Sequence, residues 1–148
     1  MSKRLITALA VVVALAGMAA GCGDSGEEPL TKAEFVKQAD AICETHDQEL
    51  EAELTAYGEE KARPGQDKGT EFTKTVLLPS IESEIEEISE LSPPEADAQQ
   101  VSAMLSAMQA GADRATAEPE KILSFESNPL LKSKKLAVAY GLEVCGRT

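Results

Sequence analysis

Residues 30–57 read LTKAEFVKQADAICETHDQELEAELTAY, and this stretch decides the fold. Apolar and weakly polar side chains recur in it at spacings of three and four, at Phe35, Ala39, Ile42, Cys43, His46, Leu50, Leu54 and Tyr57. That spacing is typical of one face of an α-helix. Thr31 is a suitable N-cap, with Glu34 as its partner in a capping box. The pattern predicts a helix that runs to about Lys61 and is closed by Arg63-Pro64-Gly65.

Two further amphipathic helices are predicted in the middle of the chain. The second helix presents an apolar stripe formed by Phe72, Val76, Leu77, Ile81, Ile85, Ile88 and Leu91, and it should end at Ser92-Pro93-Pro94. Pro79 should kink or split this helix near Leu78, because proline lacks the backbone N–H that a helix interior uses. The third helix presents Val101, Met104, Leu105, Met108, Ala112 and Ala115, and it fades around Glu118-Pro119.

A short helical turn and a last helix complete the predicted domain. Ile122, Leu123 and Phe125 predict a turn packed on the domain. Asn128 is a suitable N-cap for the last helix, with Pro129 at its first position. The helix presents a stripe formed by Leu131, Val138, Leu142 and Cys145, with Gly146 as its C-cap. Gly141 lies inside it, where the lack of a side chain would let the first helix approach closely.

No stretch alternates apolar and polar residues for long enough to predict a strand, so the expected fold class is all-α. Cys43 and Cys145 are the cysteines that remain if Cys22 is lipidated, and an oxidising compartment would pair them. Two unrelated buried thiols are the alternative, and the lack of a Cys-x-x-Cys pair argues against a redox site. A bridge from the first helix to the end of the last favours an antiparallel, up-down-up-down four-helix bundle closed by one disulfide.

The residues before this domain indicate where the protein works. Lys3 and Arg4 precede an apolar run from Leu5 to Ala20, which is interrupted by few polar residues and followed closely by Cys22. These are the parts of a secretory signal, and the stretch resembles a bacterial lipobox, in which Cys22 becomes the acylated N-terminus. An ordinary secretory signal, with Cys22 as a spare thiol, is the alternative. The run is shorter than the roughly 20 residues that a membrane-spanning helix needs.

We therefore expect a signal peptide at 1–21, a lipidated flexible tether at 22–30 and a helical domain at 31–148. The protein would be attached to the outer, extracytoplasmic face of the cell membrane through the lipid on Cys22. Its formal net charge is −12 at pH 7, which makes nucleic acid a poor partner. The chain has no Trp and only 3% aromatic residues, so a site that stacks on sugars has little from which to be built.

His46 is the one histidine of the chain and lies three residues after Cys43. A cysteine in a disulfide offers no thiolate to a metal, so no metal site is predicted. His46 is expected to be a partly buried polar neighbour of the bridge. A weak haem or metal ligand and a catalytic histidine are the alternatives.

Two clusters of charge are expected to be solvated surface. Glu82, Glu86 and Glu90 share one face of the second helix, with Glu84 and Glu87 nearby. Di-metal bundles need Glu-x-x-His motifs on facing helices, and this chain has none. The basic residues Lys132, Lys134 and Lys135 are interpreted as charge balance. No pattern of a catalytic nucleophile or phosphate loop is present, so no enzyme is predicted.

Four short motifs carry a resemblance to a family. They are Leu30-Thr31-Lys32-Ala33-Glu34-Phe35, Ala39-Asp40-Ala41-Ile42-Cys43, Leu91-Ser92-Pro93-Pro94 and Ala139-Tyr140-Gly141-Leu142-Glu143-Val144-Cys145-Gly146. Together they resemble small, uncharacterised lipoproteins of actinobacteria. The resemblance implies the helical fold and the bridge, and it brings no known chemistry.

The leading hypothesis is a non-catalytic, lipid-anchored module that binds or scaffolds an envelope protein and needs no cofactor. The alternative is a carrier that holds a haem or an apolar molecule between helices, against Met104, Met108 and His46. The two hypotheses predict different cores. A carrier should contain a cavity, whereas a scaffold should have a tight core and an exposed apolar patch.

Overall fold

The computed structural model describes residues 28–59, 68–124 and 126–147. These residues form helices and turns, and no strand is found among them, which confirms the all-α prediction for this part of the chain. The predicted signal at 1–21, Cys22, the helix end at Arg63-Pro64-Gly65 and Phe125 lie outside the described residues. Within the described ranges, no helix combines the length and apolar character that crossing a membrane would require.

The first helix, α1, spans Lys32–Glu59 and begins at the predicted capping box. The Thr31 N–H donates to Glu34 Oε2 at 2.9 Å, and the Glu34 N–H donates to Thr31 Oγ1 at 3.3 Å. As far as His46 the predicted stripe faces the core, with Phe35, Ala39, Cys43 and His46 buried and Ile42 partly buried. Near the end of the helix the Tyr57 ring packs on Phe72, with 5.2 Å between ring centroids. Leu54 is 56% exposed because no described element covers it, so the predicted stripe is wrong at that residue.

The second helical run continues through Pro79 without a break, but it contains a π turn just before this proline, close to where a kink or split was expected. It consists of α2 at Lys68–Phe72, a π turn at Thr73–Leu77 and α3 at Leu78–Glu90. In the π turn the Leu78 N–H donates to the Thr73 carbonyl, five residues back. Pro79 follows immediately and has no N–H for the carbonyl four residues before it. The wider π turn accommodates this interruption without ending the run.

The third helix, α4, spans Ala98–Ala117 and is followed by a 3-10 turn at Pro119–Leu123. Val101, Met104, Ala112 and Ala115 are buried as predicted. In the turn Ile122 is buried but Leu123 is 64% exposed. Successive side chains of a 3-10 turn point in different directions, because it has three residues per turn. Only one of the two neighbours can therefore face the domain, and the prediction for Leu123 is wrong.

The last helix, α5, spans Leu131–Tyr140 and is shorter than predicted at both ends. Its N-cap is Leu130 instead of Asn128, whose Oδ1 accepts the Leu130 N–H at 2.8 Å in the preceding turn. Gly141 ends the helix with a φ of +112°, a conformation that favours glycine. The N–H groups of Gly141 and Leu142 donate to the carbonyls of the last turn, which is a Schellman motif.

Three predictions at this end of the chain are corrected by that early stop. Gly141 does not admit the first helix, because a Cβ built on it would have no neighbour within 4 Å. Gly146 is not the C-cap; it lets the C-terminal tail lie against α5, where its Cβ would come within 2.3 Å of Val138 Cγ2. Val138 and Cys145 do not share a helical stripe, since Val138 is 59% exposed and Cys145 follows the helix.

The core consists of two clusters of buried side chains. One is formed by Phe35, Ala39, Cys43, Ile88, Val101, Met104, Ala137, Tyr140 and Leu142. The other is formed by Leu78, Ile81, Ala112, Ala115, Ile122 and Leu130. Helix α3 packs on both α1 and α4, and α5 packs mainly on α4. The space enclosed where these helices meet holds the candidate site.

Candidate ligand-binding cavity beside the disulfide

A cavity of about 130 Å³ lies between α1, α3, α4, α5 and the C-terminal tail. Most of its wall is apolar and includes Leu50, Ile81, Ile88, Met104, Met108 and Leu130. The polar groups on the wall include His46, Ser80, Glu84, Ser133, Lys134 and the disulfide cysteines. Met104, Met108 and His46 were the residues that the carrier hypothesis placed around a ligand, and the structure brings them together.

The predicted bridge between Cys43 and Cys145 is present and forms part of the cavity wall. The two Cα atoms are 5.3 Å apart, inside the range that a disulfide requires. Cys43 is 2% exposed, whereas Cys145 is partly exposed. The bridge therefore joins α1 to the tail that follows α5, and not to α5 itself.

The C-terminal tail, residues 141–147, is fastened over the cavity by one carboxylate of α1. Asp40 accepts the N–H groups of Glu143, Val144 and Cys145 at distances of 3.0 to 3.2 Å. Arg147 continues these contacts along α1 with an ion pair to Glu44 at 3.2 Å. Because Val144, Cys145 and Arg147 line the cavity, the tail is a wall of the site.

Glu84 is the residue that the sequence analysis misplaced. Glu82, Glu86 and Glu90 are exposed as predicted, but Glu84 points to the cavity wall, and its Oε1 lies 3.0 Å from Cys43 Sγ. A disulfide sulfur carries no proton, so only a protonated Glu84 can donate a hydrogen bond there. Burial raises the pKa of Glu84 to about 7. The carboxyl group is therefore partly protonated near neutral pH.

The charges around Glu84 oppose one another. His46 and Lys134 lower the pKa of Glu84, while Asp47 and Glu87 raise it, and all four effects are smaller than that of burial. Burial also lowers the pKa of Lys134, whose Nζ donates to the Arg147 carbonyl at 2.6 Å. Lys134 thus belongs to the cavity wall, unlike its exposed neighbours Lys132 and Lys135, and charge balance alone does not describe it.

His46 is held between two groups of α3. Its Nε2 lies 3.1 Å from Glu87 Oε1, and its Nδ1 lies 3.3 Å from Ser80 Oγ. The Ser80 hydroxyl can donate to Nδ1 while Nε2–H donates to Glu87, so both ring nitrogens have partners. The side chain is 7% exposed and lies one helical turn from Cys43, as a polar neighbour of the bridge.

A metal-like grouping of ligand atoms is also found at the disulfide. Sulfur and oxygen atoms of Cys43, Glu84 and Cys145 lie within 4.8 Å of one another. The two sulfurs are bonded to each other, and metal ligation by cysteine requires the free thiolate. In the disulfide form these residues therefore do not supply a metal site.

Glu84 and Asp40 were not predicted to belong to the site, and a local sequence signal exists for Glu84 alone. Glu84 lies three residues after Ile81 and four before Ile88, which places it on the buried stripe of α3. Asp40 lies on α1 next to the buried Ala39, and its tail partners are more than 100 residues away, so no local pattern marks them. A scan against protein-family models and searches of curated proteins and of solved structures found no match to this chain.

Proposed function

We propose that this protein holds one small, mainly apolar molecule in the cavity, as a lipid-anchored, non-catalytic protein of the cell envelope. The cavity itself carries the proposal, because Met104, Met108 and His46 line it together with the core residue Ile88. Its volume of about 130 Å³ is close to the roughly 150 Å³ of an engineered apolar cavity that binds benzene or xenon. A ligand the size of a benzene ring is therefore a better fit than haem.

The polar part of the wall indicates what the ligand should carry. Glu84, Ser80 and Lys134 offer hydrogen-bonding groups beside an otherwise apolar wall. His46 and Lys134 lower the pKa of Glu84 while Asp47 and Glu87 raise it, so the charges around the wall are mixed and favour neither an anionic nor a cationic ligand. We infer a neutral ring with a single hydrogen-bonding group, for which phenol is a suitable probe.

The test is thermal unfolding of the chain with benzene, phenol or benzoate, because a ligand that binds the folded state alone raises Tm. Ala137 lines the cavity and is 3% exposed, whereas Ala139 on the same helix is exposed. Ala137→Leu fills part of the cavity, and Ala139→Leu is the matched control. Phenol should raise Tm of the wild type and of Ala139→Leu, with a smaller effect of benzoate. In Ala137→Leu the rise in Tm with phenol should be smaller. An equal rise in Tm in both variants, or no rise in the wild type, would reject the proposal.

An envelope protein partner stays a prediction beside this proposal. Within the part of the chain that the structure describes, the exposed large apolar residues Leu54, Leu123 and Val138 lie on three different elements, namely α1, the 3-10 turn and α5. Pull-down of envelope proteins with the lipidated chain tests the partner directly. The anchor is tested by Cys22→Ser, which should abolish partitioning into detergent. A mature N-terminus other than Cys22, without diacylglycerol, would contradict the lipid attachment.

An up-down-up-down order of the four helical segments is part of the proposed architecture. Its support comes from contacts between opposite helix ends. The Leu30 N–H donates to the Ser92 carbonyl at 2.9 Å, and Tyr57 packs on Phe72 at the other end of α1. The Tyr140 hydroxyl at the end of α5 donates to Asp97 at the start of α4, at 3.1 Å. Spin-label distances between helix ends in the full chain test this order.

A further inference from the structure

We propose that the Cys43–Cys145 disulfide exchanges with a small thiol that enters the cavity, and that Glu84 donates a proton to the departing Cys43 sulfur. This inference is independent of the proposed small-ligand function. It assigns a reactivity to the bridge that the lack of a Cys-x-x-Cys pair had argued against. The reaction is stoichiometric and needs one thiol as its co-reactant.

The two sulfurs differ in the access that a thiol would have to them. Both cysteines line the cavity, but Cys43 is 2% exposed on α1 while Cys145 is partly exposed on the tail. An incoming thiolate therefore reaches Cys145 more easily, and Cys43 becomes the leaving group. Attack of a thiolate on one sulfur of a disulfide, with departure of the other, is the general course of thiol–disulfide exchange.

The departing sulfur would be costly without a proton. Cys43 is 2% exposed, so a thiolate formed there would be a buried charge, which is costly unless a proton neutralises it. Glu84 Oε1 lies 3.0 Å from Cys43 Sγ, which is within reach for direct proton transfer. Glu84 is thus placed at the one atom that has to gain a proton.

The chemical balance is simple. The thiolate forms a bond to Cys145 Sγ, and the bond between Cys145 Sγ and Cys43 Sγ breaks with its electron pair on Cys43. The carboxyl proton of Glu84 moves to Cys43 Sγ, which leaves a Cys43 thiol and a Glu84 carboxylate. The product is a mixed disulfide between Cys145 and the small thiol. Oxidation of the small thiol's sulfur to the disulfide level is matched by reduction of Cys43 to a thiol, and Cys145 stays at the disulfide level throughout.

The reaction should depend on pH through Glu84. Burial raises the pKa of Glu84 to about 7, so the proton is present in more molecules below this value than above it. The groups that face Glu84 are His46 and Asp47 on α1, Glu87 on α3 and Lys134 on α5, with Arg147 of the tail on the same cavity wall. The effects of His46, Asp47, Glu87 and Lys134 on the pKa of Glu84 are smaller than that of burial, so these groups should shift the midpoint without removing it.

The experiment measures exchange of the folded full-length chain with 2-mercaptoethanol. Acid quenching and peptide mass spectrometry identify the state of Cys43 and Cys145 separately from any modification at Cys22. Rates are divided by the thiolate fraction of the reagent at each pH. In the wild type the corrected rate should fall as pH rises through about 7, with the mixed disulfide on Cys145 and a free thiol on Cys43.

The variants are Glu84→Gln and the matched control Glu86→Gln, which removes an exposed carboxylate from the same helix. Glu84→Gln should slow exchange at least about tenfold below neutral pH, since a positioned acid typically contributes more than this, and its corrected rate should not vary with pH. Glu86→Gln should match the wild type. Equal rates in both variants, a mixed disulfide on Cys43, or no reaction without denaturant would overturn the proposal. If Glu84→Gln fails to fold, the wild type alone still tests the proposal: a corrected exchange rate that does not change with pH would overturn it.

Discussion

Replacing Glu84 by glutamine should remove a pH dependence from the stability of the folded chain. Burial raises the pKa of Glu84 from 4.5 to about 7 in the folded state, whereas the unfolded state keeps the ordinary value. The folded chain therefore binds this proton more tightly than the unfolded chain. The resulting stabilisation is fully present below pH 4.5 and is lost as pH rises through about 7.

The size of this effect follows from the two pKa values. One pKa unit corresponds to about 1.4 kcal/mol of free energy, so a shift from 4.5 to about 7 corresponds to ~3 kcal/mol. About 2 kcal/mol of this falls between pH 5 and pH 8, because the unfolded carboxyl group is already mostly ionised at the lower limit. Glutamine has the same shape and no titration, so the variant should not show this loss.

Urea unfolding followed by far-UV circular dichroism measures the free energies at about pH 5 and about pH 8. The wild type and the exposed-site control Glu86→Gln should each lose about 2 kcal/mol more than Glu84→Gln between these values. Comparison within the series cancels titrations that all three chains share. If the three chains lost the same stability over this range, Glu84 would not be the buried, raised-pKa carboxyl that the structure describes.

Three further substitutions test the tail and its attachment, each by urea unfolding. Cys145→Ser should destabilise the chain by roughly 4 kcal/mol, because the bridge closes a sequence separation of 102 residues; an unfolding midpoint equal to that of the disulfide-bonded wild type would contradict this. Asp40→Ala should lower the free energy of unfolding by about 2 kcal/mol, because three N–H groups lose a charged acceptor. It should also speed hydrogen exchange at residues 143–145, and protection there equal to the wild type's would refute the contact. Gly141→Ala should cost about 1 kcal/mol through its positive φ and not through a clash, so a stabilised variant would argue against the Schellman end of α5.

Features that depend on local sequence could be predicted. The capping box of Thr31 and Glu34 needs only residues one turn apart, so its pattern was sufficient to place the start of α1. An irregularity next to Pro79 was predictable for the same reason, because the missing N–H acts within the helix itself, and the structure shows it as a π turn. The Cys43–Cys145 pairing could be predicted because these are the two cysteines that remain if Cys22 is lipidated.

Features that depend on the positions of several helices could not be predicted in the same way. The spacing of Leu142 and Cys145 continues a helical stripe, so the last helix was predicted to run past Gly141. In the structure the left-handed φ of Gly141 ends α5. Glu84 was assigned to a solvated face with its acidic neighbours, although its spacing from Ile81 and Ile88 places it on the buried stripe. Its contact with the disulfide depends on how α3 packs on α1, which no local pattern shows. The cavity is a gap left by helices, and no pattern along the chain records such a gap.

The central claim is that a small ring occupies the cavity against the two methionines of α4. Intermolecular nuclear Overhauser effects between phenol and the protein's methyl groups test it most directly, at a phenol concentration that saturates the thermal shift. We predict cross-peaks from the phenol ring protons to the methyl groups of Met104 and Met108, which line the cavity, and their loss in Ala137→Leu. Cross-peaks confined to the exposed Leu54 or Leu123, or no cross-peaks to either methionine, would contradict the account.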